Sequence, residues 1–297
     1  MNRSDLHMHS NISNDGELSP AEIVSACIAS GLEIISLTDH NSVKGLEEAI
    51  DHATAAGITC IPGIEIDCAY EGIDLHLLGY HVDWKSMDFA VLENTIHDRV
   101  LDSFPAMIRN LEKAGIRVDD DEVLAAAGGQ LPSAELIAEV LLTNPVYQGN
   151  ALLRPYMKGG ERSDMPYINF YLDYFAQGKA AYVKIEYISF DEAVALIKDN
   201  HGTPVVAHPG MNLKTREYLV NALLDHGAEG LEVFNNYHDF EQIRYFAKVA
   251  LQRKTIATCG SDFHGKTKPL ITLGSFKSLE PYNTYINQSV QSLLKNQ

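Results

Sequence analysis

The sequence predicts an α/β fold: a distorted barrel of about seven β/α units, interrupted by a mostly helical insertion. Three observations predict it. Short apolar runs rich in Ile, Val, Leu or Thr alternate with helical patterns in the first and last thirds of the chain. Nearly every run delivers a histidine or an acid at or near its end. Between about residues 83 and 180 the alternation stops and helical patterns take over. A chain of 297 residues is too long for one small core and suits one large α/β domain carrying an insertion.

Taken in order, the strand candidates are 3–9, 33–39, 59–68, 74–82, 204–208, 230–235 and 255–262. The helices between them carry start and stop signals. "SPAE" at 19–22 is a capping box with Pro20 in the first turn, and Gly31 follows the helix end. "SFDE" at 189–192 repeats the device, with Gly202 beyond it. Such alternation argues for a parallel sheet, and about seven units argue for a barrel. The segments "TIHDRVLDSFPAMIRNLEKAG", "DDEVLAAAGG" and "PSAELIAEVLLTN" read as helices, followed by a polar, aromatic stretch at 154–178. The expected organisation is therefore 1–94 and 181–297 as two parts of one barrel, with 95–180 inserted from a barrel loop and covering the active site.

Composition excludes several classes. The formal net charge of −17 argues against binding long duplex nucleic acid through a basic face. No apolar run approaches the roughly 18 residues needed to span a bilayer, and the first residues are unlike a signal peptide. The four cysteines form no CxxC pair, so a reducing, cytoplasmic setting is expected.

"SDLHMHSNISNDGELSP" at 4–20 places His7 and His9 at i and i+2, on one side of an extended backbone, with Asp15 in the loop that follows. Alone, it could be a polar edge strand. His40 closes "IISLTDH", Glu65 sits in "IPGIEID", His76 in "DLHLLGY" and His208 in "PVVAHPG", while Asp262 and His264 lie in "GSDFHG". In a parallel barrel the strand ends share one mouth. Six imidazoles and three carboxylates there are costly to desolvate unless cations pair them. Two or three divalent ions do so, and with mixed imidazole and carboxylate donors Mn²⁺, Fe²⁺ or Zn²⁺ suits better than Mg²⁺. Of the other histidines, His52, His97 and His81 read as structural or solvated, and His201 and His226 as helix-end residues. His238 lies after a strand at the same mouth.

"DLHMHSNISNDG", "LTDHN", "GIEI", "LHLLGY", "VVAHPG" and "GSDFHG" together resemble the signature motifs of the PHP (polymerase and histidinol phosphatase) family. The resemblance implies a distorted seven-stranded barrel with a di- or trinuclear metal centre. It implies His7, His9, Asp15, His40, Glu65, His76, His208, Asp262 and His264 as the ligands, with Glu65 bridging two ions. An insertion of this size resembles the small-phosphoester branch, which hydrolyses nucleoside 3′,5′-bisphosphates and in some members trims short 5′-phosphorylated oligoribonucleotides. "LLRPYM" and "FAQGKAAYV" resemble that branch's phosphate-gripping segments, which implies Arg154 and Lys179 as substrate contacts.

The expected activity is a metal-dependent phosphoesterase acting on a small, nucleotide-like substrate. Divalent cations roughly 4 Å apart supply hydroxide near neutral pH for attack on phosphorus, Arg154 and Lys179 hold the phosphoryl oxygens, and His238 is a candidate general acid. Histidinol phosphate is the alternative substrate. An amidohydrolase-type hydrolase, or a metal-binding module without activity, is the alternative class. Oligomeric state is not legible in the sequence.

Overall fold

The computed structural model of the chain describes residues 3–295. Among the described residues nine strands form: β1 (Ser4–Asp5), β2 (Ile34–Ile35), β3 (Thr59–Cys60), β4 (Gly63–Tyr70), β5 (Ile73–Tyr80), β6 (Ile188–Ser189), β7 (Thr203–Val206), β8 (Gly230–Phe234) and β9 (Ile256–Cys259). They make a three-stranded ladder, β1-β2-β3, and a six-stranded one, β6-β4-β5-β7-β8-β9.

Backbone hydrogen bonds join the two ladders at both ends. On one side Leu6 N–H donates to Cys259 O (3.1 Å), Asp262 N–H to His7 O (2.8 Å) and His9 N–H to Phe263 O (2.9 Å). On the other, Asn41 N–H donates to Glu65 O (2.7 Å) and Glu65 N–H to Asp39 O (3.2 Å). The ring therefore runs β1-β2-β4-β5-β7-β8-β9 and back to β1, a distorted seven-stave barrel whose seams are short bridges rather than full ladders.

The sheet is not parallel throughout, as the alternation had suggested. β5 runs antiparallel to β4 and to β7. The cause is "YEGI": only Glu71 and Gly72 separate β4 from β5, and both have positive φ (48° and 77°). Two residues make a hairpin turn, whereas a parallel crossover needs a dozen or more. The strand anticipated at 59–68 is likewise divided, into β3 and β4, at Ile61-Pro62. Pro62 has no N–H for a ladder.

Ser19 and Ser189 cap the helices Pro20–Ala29 and Phe190–Asp199 through reciprocal bonds with Glu22 and Glu192. His201 lies beyond the second helix, at φ +63°, rather than in its last turn. Helix Met87–Lys113 spans two cores. Its Phe89, Leu92 and Ile96 pack into the barrel core, whereas Phe104, Met107 and Leu111 enter a separate core with Ile116, Ile137, Leu141, Leu153 and Phe170. Pro105, which removes one helical N–H, falls where the helix passes from one core to the other. Among the described residues no two cysteines are bridged, and no helix is long and apolar enough to cross a membrane.

The second core leans over the barrel mouth. Gln130 Nε2 donates to Asn11 O (3.1 Å), Leu131 N–H to Asn14 Oδ1 (3.1 Å), and Tyr182 OH to Asp74 Oδ2 (3.1 Å).

Gly260 permits the close approach of β9 to β1. A Cβ there would stand 2.2 Å from His7 Cβ and 2.7 Å from Glu232 Oε1. Gly260→Ala is expected to lose about 1–3 kcal/mol of unfolding free energy in urea titration. Stability equal to the parent would show that the seam tolerates the extra methyl.

Candidate metal centre

Along the segment after β1, Leu6 and Met8 point into the apolar cores, and the alternate His7 and His9 emerge on the opposite side. His40 follows β2, Glu65 lies on β4, His208 follows β7, and Asp262 and His264 follow β9. His76 reaches the same rim from the early half of β5 rather than its end, because that strand runs the other way; it pairs across the ladder with Asp67. The nine residues converge in overlapping groups whose donor atoms lie within 4.8 Å of one another: His7, His9, Glu65 and Asp262; His9, Asp15, His40 and His264; Glu65, His76 and His208. Glu65 belongs to two groups and is fully buried.

Proton bookkeeping shows what this arrangement is built to hold. Ser13 Oγ donates to Asp39 Oδ1 (3.0 Å), so toward His9 Nδ1 (3.2 Å) it can only accept. His7 Nδ1 donates to Glu232 Oε1 (3.1 Å) and His264 Nδ1 to the Asp262 carbonyl (2.9 Å). In the neutral form each ring therefore turns its Nε2 lone pair inward. There it meets carboxylate oxygens: Glu65 Oε2 lies 3.2 Å from His7 Nε2 and 3.1 Å from His9 Nε2, and Asp15 Oδ2 lies 3.0 Å from His264 Nε2. These three nitrogens, with Glu65 Oε2 and Asp15 Oδ1, are buried and have no hydrogen-bond partner. Lone pairs facing lone pairs in a buried site need a cation between them. The donor set fits divalent metal ions.

The electrostatics agree. Burial pushes the Glu65 carboxyl up, but His7, His76 and His40 together hold it well below the carboxylate range. Burial likewise opposes charge on His7 and His40, yet the surrounding carboxylates, Glu65 foremost, raise both well above the usual imidazole value. Protons and metal ions compete for such nitrogens. His264 behaves differently: burial pulls it down to about 4.

Some expectations fare otherwise. His238 is fully buried, its Nδ1 donates to Val233 O (2.9 Å), and its Nε2 accepts from Gly210 N–H (3.1 Å). With both nitrogens committed to backbone, and burial holding it neutral with a pKa of about 4, it has no proton for a leaving group. Its role is to pin the segment after His208. Arg154 and Lys179 are exposed on the segments around the second core, and among the described residues neither side chain hydrogen-bonds or ion-pairs with the cluster. Among the described residues the buried cation at the site is instead Lys268, whose Nζ lies 2.6 Å from Asp262 Oδ2. Sequence reasoning passed over it, and over Asp67, Glu232 and Tyr237, whose OH donates to Asp262 Oδ2 (2.5 Å). For Asp67 and Glu232 a signal existed: "EID" at 65–67 puts a second acid on the face of Glu65, and "LEVF" at 231–234 buries an acid within an apolar strand.

Comparisons with known proteins point the same way. The sequence profile of the PHP domain matches residues 5–182. A 3′,5′-nucleoside bisphosphate phosphatase of Chromobacterium violaceum is 28% identical over 280 residues, covering 93% of this chain and 92% of the relative. A 5′-3′ exoribonuclease of Haemophilus influenzae is 29% identical over 263 residues, covering 88% and 89%. Among solved structures, an amidohydrolase from C. violaceum with bound sulfate and no metal superposes with a TM-score of 0.74 at 27% identity, covering 98% of this chain and 96% of that one. A protein from Bifidobacterium adolescentis named as a metal-dependent phosphoesterase gives 0.78 at 24% identity, covering 99% and 96%, a likeness of fold.

The buried His238 makes stability depend on pH. Its folded value of about 4 lies below the ordinary 6.5, so as pH falls through that window the unfolded chain takes up a proton that the native ring refuses. Relative to His238→Gln, the metal-free protein is expected to lose roughly 3 kcal/mol between pH 7 and pH 4 in urea unfolding. Parallel pH profiles for the two proteins would contradict a buried neutral imidazole.

Proposed function

The chain belongs to the PHP domain family, and on that premise we propose that it is a metal-dependent phosphoric ester hydrolase acting on small phosphate monoesters. The 3′-phosphate of a nucleoside 3′,5′-bisphosphate is the foremost substrate, with short 5′-phosphorylated oligoribonucleotides second. One observation carries the reading: the inward Nε2 lone pairs of His7, His9 and His264, set against Glu65, Asp262 and Asp15 at 3.0–3.4 Å.

His7, His9, Glu65 and Asp262 would hold one ion; His76 and His208, with Glu65 shared, a second; Asp15, His40 and His264 a third. The mixed donors suit Mn²⁺, Fe²⁺ or Zn²⁺. Bound there, the ions supply charge neutralisation for phosphoryl oxygens and a water of lowered pKa. The chain's own residues do the rest. Glu232, Ser13 and Asn212 fix the imidazole tautomers by accepting from His7, His9 and His208 Nδ1 (3.1, 3.2 and 2.6 Å). Lys268 adds a fixed positive charge beside Asp262. The inserted region is tied through Gln130 and Leu131 to the loop bearing Asp15. Arg154 and Lys179 keep a role only in a bound state that draws their segments inward.

A cavity of about 140 Å³ opens beside Asp15, lined by Asn14, Gln130, Glu135, Glu139 and Lys266 among others. It admits one ring or short side chain rather than a polymer. Glu139 there is already paired with Lys266 Nζ (2.7 Å), which leaves Glu135, raised by burial to about 7, to meet a hydrogen-bond-donating group. That supports a second reading, an amino-alcohol phosphate such as histidinol phosphate.

A phosphate-release screen with added Mn²⁺ tests the proposal. Turnover of a nucleoside 3′,5′-bisphosphate is expected, exceeding that of histidinol phosphate and of amide or lactone controls. His9→Ala is expected to lower kcat/KM more than about 100-fold with the circular dichroism spectrum unchanged. Undiminished turnover by that variant, or metal-loaded protein inert to every phosphoester, would refute the assignment.

A further inference from the structure

Asp67 lies outside the nine residues to which the motifs pointed. Two positions beyond Glu65 on β4, it faces the same rim and is largely buried. Its Oδ1 stands 3.3 Å from His40 Nδ1 and 3.4 Å from His76 Nε2. Neither Oδ1 nor His40 Nδ1 has a hydrogen-bond partner, although both are buried. The approach is close, but the directions are wrong for an N–H···O bond.

The carboxylate is not free to swing away. Asn41 Nδ2 donates to Asp67 Oδ2 (2.8 Å), and the Asp67 N–H donates to Asn41 Oδ1 (2.9 Å). This two-point clamp holds Oδ1 inward, where one oxygen and two imidazole nitrogens lie within 4.8 Å of one another. Two imidazoles and a carboxylate form a donor set for Mn²⁺, Fe²⁺ or Zn²⁺.

We propose that Asp67 is a further metal ligand, completing with His40 and His76 a seat for a divalent ion at the outer edge of the centre. The inference rests on the metal-dependent reading above. It has a consequence for His40. That ring presents Nδ1 to Asp67 at 3.3 Å and Nε2 to Asp15 at 3.9 Å, and a neutral imidazole gives one lone pair to one ion. The Asp67 seat therefore shares His40 with the Asp15 seat and His76, whose Nδ1 lies 3.0 Å from Glu65 Oε1, with the second ion's seat, so an ion at Asp67 is an alternative to ions at those positions.

The test is Mn²⁺ titration of metal-free protein, with free Mn²⁺ read by electron paramagnetic resonance and bound metal by elemental analysis. Asp67→Asn keeps the shape and a hydrogen-bond acceptor but removes the charge. It is expected to weaken one class of site at least tenfold and leave the tighter class unchanged. Asn41→Ala, which only loosens the clamp, is expected to weaken the same class by less. An Asp67→Asn isotherm superimposable on wild type overturns the proposal, and so does weakening by Asn41→Ala alone, which would make Asp67 a positioning group. Wild-type protein that takes up no Mn²⁺ or Zn²⁺ overturns both this proposal and the reading beneath it. Metal-replete wild type with an unaffected Asp67→Asn overturns this one only.

Discussion

The repulsion among buried carboxylates and imidazole lone pairs around Glu65 is the constraint on which the rest depends. Glu65 has no exposed surface, yet His7, His9, His76 and His208 all place a ring nitrogen within 3.2 Å of its two oxygens. A carboxylate removed from water to such a place costs several kcal/mol unless its charge is matched. Matching it with protons alone would require several imidazolium rings packed 4.1 to 5.2 Å apart, which repel one another. Divalent cations satisfy oxygens and nitrogens together, and each imidazole then stays neutral.

The same bonds that close the barrel also hold these groups in place. Glu65 exchanges backbone hydrogen bonds with Asp39 and Asn41 at one seam, and His7 accepts from Asp262 N–H at the other. The ligands thus sit on the staves that must meet for the ring to form. Asp39, buried, takes bonds from Ser10 N–H, Ser10 Oγ and Ser13 Oγ (2.7, 2.7 and 3.0 Å), tying the loop after β1 to β2. Loss of a seam residue would therefore disturb fold and centre together, whereas loss of a ligand at the end of a stave would leave the apolar cores intact.

Much of this was legible because barrel strands write a plain code. Alternation exposed His7 and His9, and apolar runs ending in "TDH", "AHP" and "SDFH" marked the rim. The hairpin was legible too, in the two residues Glu71 and Gly72, but the rhythm of the flanking strands obscured it. What could not be read were facts of orientation. Whether a histidine after a strand faces the mouth or the backbone behind it depends on a turn of a few residues, and His238 turns to Val233 and Gly210. Arg154 and Lys179 lie in a region without periodicity, where nothing in the chain says which way a side chain points. Asp67 is inconspicuous in the sequence because it lies within a strand, and in β4 the face matters more than the end.

Charge balance explains how so acidic a chain can receive a phosphate ester. At physiological ionic strength the Debye length is about 8 Å, so most of the net −17 is screened from the mouth. What a substrate meets is local: the carboxylates of Asp15, Glu65, Asp67 and Asp262, offset within the protein by Lys268. With the imidazoles neutral, as metal binding requires, these groups alone sum to about three negative charges before the ions are counted. Two divalent ions bring the sum to about +1 and three to about +3, so occupancy reverses the sign of the site. Metal loading therefore adds to whatever attraction the protonated imidazoles offer a phosphate. The acidic surroundings favour cation uptake at the mouth.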